Sequence, residues 1–403
     1  MSAGAIIRLC LVVALISPIC ARCAQATGQS LIAPSVPSDA EIREILVNRI
    51  DTQKQGVGIV IGVIEPKGRR IIAHGRLEKG DNRALDGDTI FEIGSVTKVF
   101  TALLAADMAQ RGELRLDDPI EKYLPPGVKV PQRNGREITI IDLATHTSGL
   151  PRSLGNFQPK NPANSSADYT LERLYSFLTS YELTRDVGSK YQYSNLGYGL
   201  LGLALARRAG VDYETLVETR IDGSLGMKDT QIILTPEMRE RLAAGHDAAL
   251  KTVHSWGIST LPGAGALRST ANDLLIFLAA ALGYTNTSLS APMRTLLATR
   301  RPTDEPFIDI AMAWNVDTRG GNEIIWKNGA VGGYRAFIGY VARLRVGIVA
   351  LSNATTELGV EDIGFHLLDA RYPLAVPSSS PRSRRSIHAP RMPGMEIMDD
   401  KAA

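Results

Sequence analysis

Cysteine is almost missing from this chain of 403 residues: Cys10, Cys20 and Cys23 are its only three, and all lie near the start. Nothing downstream of Cys23 can build a disulfide framework, a thiol nucleophile or a cysteine-ligated metal site. None of the six histidines stands four residues from another, which removes the helical His-x-x-x-His zinc pair, and neither a metal nor a cofactor is expected. A Gly-x-Ser-x-Gly elbow, the mark of an α/β-hydrolase nucleophile, is also missing. So are internal repeats and any long Pro/Ser-rich interior linker, so one large domain is the simplest organisation. Charge of one sign is scarce as well. Of the formal +3, Arg8 and Arg22 lie at the N-terminus, while Arg382, Arg384, Arg385, Arg391 and Lys401 outweigh Glu396, Asp399 and Asp400 near the C-terminus. The body between them is close to neutral and has no basic stripe, so nucleic acid is not an expected partner. What is plentiful is apolar material, 44% of residues, enough for a large core.

The only stretch that resembles a membrane-targeting segment comes first. Arg8 precedes the apolar run Leu9-Cys10-Leu11-Val12-Val13-Ala14-Leu15-Ile16, and Ala24-Gln25-Ala26 offers small residues for cleavage. This reads as a secretory signal peptide over 1–26, too short to remain as a spanning helix, and it predicts export to a bacterial periplasm. The domain then covers 27–374. Residues 375–403 are rich in Pro, Ser and Arg without apolar periodicity, and read as a disordered tail. It is either a solvated appendage or a weak contact to anionic lipid or wall polymer.

Within the body, 56–64 and 69–75 read as a β-hairpin turned at Lys67-Gly68. Its glycines imitate a dinucleotide loop, but Ile61 holds the place of the third glycine and no helix follows. Apolar spacing predicts helices over 96–110, 139–145, 171–179, 200–209, 213–221, 271–282 and 361–368, and strands over 333–341 and 346–351. Strands near both ends with helices between them predict an α/β (α+β) fold. Its antiparallel sheet, flanked by helices, is built from both ends of the chain and carries a mainly helical inserted subdomain, with the ligand cleft between the two parts.

Three short motifs carry chemistry. In Ser95-Val96-Thr97-Lys98, a helix would put the lysine amine one turn from the serine hydroxyl, and the helix N-terminus favours negative charge there. Such a lysine can act as base once burial and a neighbouring cation depress its pKa. Tyr193-Ser194-Asn195 sets a phenol for proton transfer two residues from a carboxamide for orienting a substrate amide. Lys327-Asn328-Gly329-Ala330 follows an apolar run, with a glycine that lets a strand edge approach substrate and a lysine suited to an anionic group. Each alone has an ordinary structural explanation; their order and spacing together point to a site.

With these motifs the chain resembles the penicillin-recognising serine hydrolases, the serine β-lactamases and D-alanyl-D-alanine peptidases. The tyrosine heading the second motif is similar to the class C β-lactamase branch. Leu143-Ala144-Thr145-His146-Thr147-Ser148-Gly149-Leu150-Pro151 and Ser269-Thr270-Ala271-Asn272-Asp273 extend the likeness across the body, and 122–131 resembles the periplasmic D-alanyl-D-alanine carboxypeptidase/endopeptidase subgroup.

The resemblance implies Ser95 as acylated nucleophile and Lys98 with Tyr193 as the proton-handling pair. It implies Asn195 at the substrate amide, and Lys327 keeping Tyr193 acidic and attracting a substrate carboxylate. The amides of Ser95 and Ala330 would form the oxyanion hole beside Gly329. Asn328 replaces the usual Thr or Ser that binds the carboxylate, and Val187 stands where proline is usual. His146, inside a signature, reads as structural. The activity so implied is hydrolysis of D-Ala-D-Ala peptides of peptidoglycan through an acyl-enzyme. The alternatives are a class C-type β-lactamase, a small-ester esterase and a non-catalytic penicillin-binding sensor.

Overall fold

The computed structural model describes residue 1 and residues 36–378, except 154, 157–168 and 254–259. The expected leader, after residue 1, and the tail from 379 onward lie outside the described residues. The compact unit begins at Val36. Its first helix, α1 (Asp39–Val47), was not expected from the sequence pattern. It starts with a capping box in which Ser38 Oγ accepts from the Glu41 N–H at 3.3 Å while the Glu41 carboxylate accepts from the Ser38 N–H at 2.7 Å.

The hairpin forms as β1 (Gly58–Glu65) and β2 (Gly68–Gly75). Short strands β3 (Ile90–Glu92), β4 (Gly245–His246), β5 (Thr252–Val253) and β6 (Arg268–Thr270) pair off as β3 with β6 and β4 with β5. Then come β7 (Arg301–Pro302), β8 (Ile308–Ile310), β9 (Asn315–Asp317), β10 (Ile324–Val331), β11 (Tyr334–Val341) and β12 (Val346–Ser352). The eight-stranded antiparallel sheet runs β2-β1-β12-β11-β10-β9-β8-β7, so the first hairpin pairs with the last strand, with Ile59 opposite Ser352. The expected construction from both chain ends is what the structure has.

Both faces of β1 are buried, which is why it reads as a continuous apolar run instead of an alternation. Ile59, Ile61 and Val63 pack with Ile42 and Leu46 of α1 and with Phe365 of the closing helix Glu361–Leu368. Val60 and Ile64 face the opposite layer with Leu275. A methyl group at Gly62 would stand 3.0 Å from Leu275, so glycine is what lets helix Ala271–Ala281 lie close to the sheet. The Arg49–Asp362 ion pair ties the turn after α1 to the closing helix, with both side chains only 2% exposed.

The helical part lies between β3 and β7. It contains α2 (Thr97–Gln110), α3 (Ile140–Ala144), α4 (Leu171–Ser180) and α5 (Asn195–Ala209). Residues Thr97 to Met108 are buried on every side of α2, a central helix surrounded by protein. Two expected helices are corrected. The one over 200–209 starts five residues earlier because Ser194 caps it, accepting from the Gly197 N–H at 2.8 Å. The one over 213–221 is α-helical only through Val217 and continues as a π-helical turn, Glu218–Asp222. Past Leu374, where the tail is expected to begin, the Ala375 N–H still donates to Asp362 at 2.8 Å.

Candidate active site

Ser95 lies in the tight turn Gly94–Val96 that feeds α2. Gly94 makes the turn with φ +50, and a Cβ there would come within 2.9 Å of the Ala330 nitrogen. From the other side, a Cβ at Gly329 would stand 2.0 Å from Ile93 O and 3.0 Å from Ser95 N. Two glycines therefore press β10 against the serine turn and bring the amides of Ser95 and Ala330 to one junction.

Second in α2 and one turn past Ser95, fully buried Lys98 reaches back with Nζ 3.1 Å from Ser95 Oγ. The same Nζ donates to Asn195 Oδ1 at 2.8 Å and to the Ala264 carbonyl at 2.5 Å. Neither oxygen can be a donor, so two of the amine's hydrogens are committed and its remaining direction points at the serine. Burial first, then the Lys327 and Arg152 charges, hold Lys98 well below the ordinary lysine range. A neutral amine accepts the serine proton along that remaining direction, which is the geometry of a general base.

Asn195 arrives as the first residue of α5, and Ala264 on the turn Pro262–Ala264. These two elements can meet because Gly199 and Gly202 replace larger residues in α5: a Cβ at Gly199 would sit 2.5 Å from Leu261, and one at Gly202 would sit 2.9 Å from Gly263. Mid-helix glycines cost about 1 kcal/mol each relative to alanine, and here they let the turn deliver a carbonyl to Lys98.

The Tyr193 hydroxyl donates to Ser95 Oγ at 2.6 Å. Its ring is held from behind by His146, with centroids 4.5 Å apart, and His146 Nδ1 accepts from the Ser194 N–H at 3.0 Å. That bond fixes the proton on Nε2, and burial first, then the neighbouring basic groups led by Lys327, keep the imidazole well below its usual range and neutral. His146 thus orients the loop, in the structural role expected for it. Lys98, Lys327 and Arg152 approach the Tyr193 ring at 4.9, 4.8 and 5.1 Å from its centroid. The expectation of an acidic tyrosine is corrected: burial pushes Tyr193 up to about 12, against smaller downward pulls from Ser95 and Arg152. In the resting site it is a phenol that donates.

Fold and site together invite comparison with known proteins. The Beta-lactamase family profile matches residues 43–370. The chain belongs to that family, as a serine hydrolase. It is 28% identical over 374 residues to the D-alanyl-D-alanine-carboxypeptidase/endopeptidase AmpH of Escherichia coli K12, covering 87% of this chain and 94% of that one. Among solved structures, a class C beta lactamase from Rhodobacter sphaeroides superposes with TM-score 0.70 at 24% identity, covering 83% of this chain and 98% of that one. A beta-lactamase/D-alanine carboxypeptidase from Yersinia pestis gives 0.67 at 26%, covering 80% and 95%.

Against that family pattern, the structure brings Ser95, Lys98, Tyr193, Asn195, Lys327, Gly329 and Ala330 together and sends Asn328 elsewhere. Lys327 and Gly329 share the strand face toward the serine, so Asn328 faces the opposite layer, that of the closing helix, where its amide donates to Glu361 at 3.3 Å. Glu361 is buried and lies 3.7 Å from Arg335. Val187 is buried beside Gly188, whose N–H donates to Thr147 O at 2.7 Å and holds that turn without proline. Two participants escaped the sequence reading: the Ala264 carbonyl, which leaves no trace in residue type, and Arg152, which directly follows the Leu150-Pro151 of a recognised signature. Among the described residues, no group of three or more His, Cys, Asp or Glu is placed to hold a metal ion.

Proposed function

We propose that this enzyme is an exported D-alanyl-D-alanine carboxypeptidase/endopeptidase that acts on peptidoglycan peptides through an acyl-enzyme at Ser95. Lys98 takes the Ser95 proton as Oγ attacks the carbonyl carbon, and the amides of Ser95 and Ala330 receive the developing oxyanion. When the tetrahedral centre collapses, the proton held on Lys98 passes by way of Tyr193 to the departing amine. Water then enters against the same base and releases the acyl group, regenerating Ser95. Asn195 orients the substrate amide, and Lys327 draws a substrate carboxylate. The observation that carries this reading is Ser95 Oγ sitting 2.6 Å from a donating phenol and 3.1 Å from an amine whose other directions are occupied.

Export rests on the composition of 1–26, the domain is taken as 27–374, and the arginine-rich tail is proposed as a weak envelope contact. Among the described residues no helix is long and apolar enough to cross a membrane. The likeness to AmpH supports the peptidase substrate, and the class C neighbours support β-lactams as alternative acyl donors. A second reading, hydrolysis of neutral esters, is favoured by Asn328, whose amide is engaged by Glu361 and not turned to the Lys327 side.

The test is intact-mass spectrometry of the mature protein mixed with a penicillin, alongside release of D-alanine from a pentapeptide. A persistent Ser95 adduct with D-alanine release supports the peptidase. A transient adduct with drug consumption makes the protein a β-lactamase, and hydrolysis that survives Ser95→Ala sinks the mechanism.

A further inference from the structure

The hairpin that carries the Ala330 amide is unevenly supported. Among the described residues β9 pairs with β10 only as far as Trp326, so Lys327 to Val331 are paired on one side, by β11. The open edge leaves room for the serine turn, and it also leaves this stretch without a second strand to fix its position. Behind it, on the layer opposite Ser95, stands Glu361, the first residue of the closing helix. Asn328 and Ala330 turn to that layer, and so does Arg335, which lies opposite Ala330 in the β10–β11 register. Asn328 Nδ2 donates to Glu361 Oε1 at 3.3 Å, and Arg335 Nη1 lies 3.7 Å from the same oxygen. Both strands of the hairpin therefore meet one carboxylate. That carboxylate is itself held: Glu361 is 4% exposed, and its Oε2 accepts from the Val360 N–H at 3.0 Å. Gly359 makes room for it, since its φ is +63 and a Cβ there would stand 2.3 Å from Glu361 Oε2. Arg49 fixes the same turn, donating to the Gly359 carbonyl at 2.8 Å while it pairs with Asp362.

We propose that Glu361 is a positioning residue for the reaction: by gripping Asn328 on β10 and Arg335 on β11 it takes the place of the missing β9 partner and holds the Ala330 amide where the oxyanion forms. The inference rests on the serine-hydrolase reading of the site. Asn328 then acts through Glu361 and does not touch substrate, although it stands next to Lys327 in the chain. A carboxylate suits the task because its two oxygens accept from several donors at once, and bonds to an ionised acceptor are the stronger kind. Here it receives a side-chain amide and a guanidinium on one oxygen and a backbone N–H on the other. Glutamine in its place has a single accepting oxygen and no charge, so it cannot serve all three. Ala330 is two residues from Asn328 and directly opposite Arg335, so slack at either grip passes to its amide. Misplacement by about 1 Å at a reacting centre costs on the order of 100-fold in rate.

The experiment compares wild type with Glu361→Gln, Asn328→Ala and the double variant. Three quantities are read: the acylation rate and the preceding dissociation constant for a carboxylate-bearing cephalosporin, the same pair for a neutral aryl ester, and inhibition by benzeneboronic acid, whose tetrahedral serine adduct imitates the transition state. Each single variant should slow acylation by both substrates about 10- to 100-fold with the dissociation constants nearly unchanged. Binding of the boronic acid should weaken by the same factor, as expected of a transition-state mimic. The double variant should be no slower than the worse single one, because both break one grip. Thermal unfolding checks the fold, and Asn328→Ala, at a half-buried position, carries the test if Glu361→Gln does not fold. Acylation within about twofold of wild type in the single variants, a loss confined to the carboxylate-bearing substrate, or losses that multiply in the double variant would each overturn the proposal. If wild type neither acylates nor binds the boronic acid, it is the serine-hydrolase reading that fails. Hydrogen exchange then decides the grip by itself: peptide 324–333 should exchange faster in both single variants while 346–352 stays as in wild type, and equal exchange of 324–333 would refute it.

Discussion

Gly329→Ala is the substitution on which the site geometry makes its sharpest claim. Gly329 carries no positive φ, so alanine brings no backbone strain; its whole effect is the methyl group. That methyl would start 2.0 Å from Ile93 O, where ordinary contact begins at 3.4 Å, so β10 and the serine turn must part by about 1.4 Å. The strand remains paired to β11, with Gly329 opposite Ala336, and overpacking of this size typically costs about 1–3 kcal/mol, so the protein should still fold. The amide of Ala330, however, moves with the strand while the amide of Ser95 stays with its turn. An oxyanion donor is worth about 3–4 kcal/mol of barrier, and losing one should slow acylation about 100- to 1,000-fold. Stopped-flow acylation by a chromogenic cephalosporin measures the rate, with thermal unfolding as the check on folding. Ala330→Gly, which keeps the donor, should fall far less. Gly329→Ala acylating within about tenfold of wild type, with its fold intact, would refute the claim that this junction holds the oxyanion.

Other consequences follow from charge and burial. Lys327, lowered to about 7 by burial and Arg152, loses its charge as pH rises through neutrality. KM for a carboxylate-bearing substrate should therefore climb above that pH while KM for a neutral ester stays flat, and Lys327→Ala should abolish the difference; equal losses on both would mean that Lys327 acts through Tyr193. Asp222 is buried near Asp273 and raised to about 8, so the folded state holds a proton that the unfolded chain releases near pH 4. Stability is then present at low pH and lost as pH rises from about 4 to about 8, by on the order of 2–5 kcal/mol. Asp222→Asn should flatten that decline in calorimetry across the range, and a slope equal to wild type would contradict it. Asp362→Ala strands buried Arg49 and should cost about 3–5 kcal/mol in denaturant unfolding, whereas Arg49→Met with Asp362→Leu should recover most of it.

The sequence pattern shows what depends on local spacing and conceals what depends on assembly. The closing helix is legible to the residue, and so is the Ser95/Lys98 pair, because one helical turn fixes which side chains meet. Helix α1 escapes because only Ile42 and Leu46 of its nine residues are buried, too few to stand out as a periodicity, although its capping box was there to be read. Strands β7 to β9 are two or three residues long and never complete an alternation. The acidity of Tyr193 fails as an expectation for a different reason: nearby positive charge can be inferred from the motifs, but the burial that outweighs it exists only after folding.

Asn328 falls between these cases, and it shows how one placement constrains the next. On a strand, neighbouring side chains take opposite faces. Once Lys327 is assigned to the serine side, Asn328 is assigned to the other, whatever its chemistry, and only even steps along β10 can add to the Lys327 surface. Gly329 is such a step, and it is there that the strand closes on Ser95. A carboxylate-binding role for the Asn328 amide would require the side chain to leave Glu361 and reach around the open edge of β10, beyond the last β9 pair at Trp326. The lysine and the asparagine are adjacent in sequence, but the strand that joins them divides their work between two layers of the molecule.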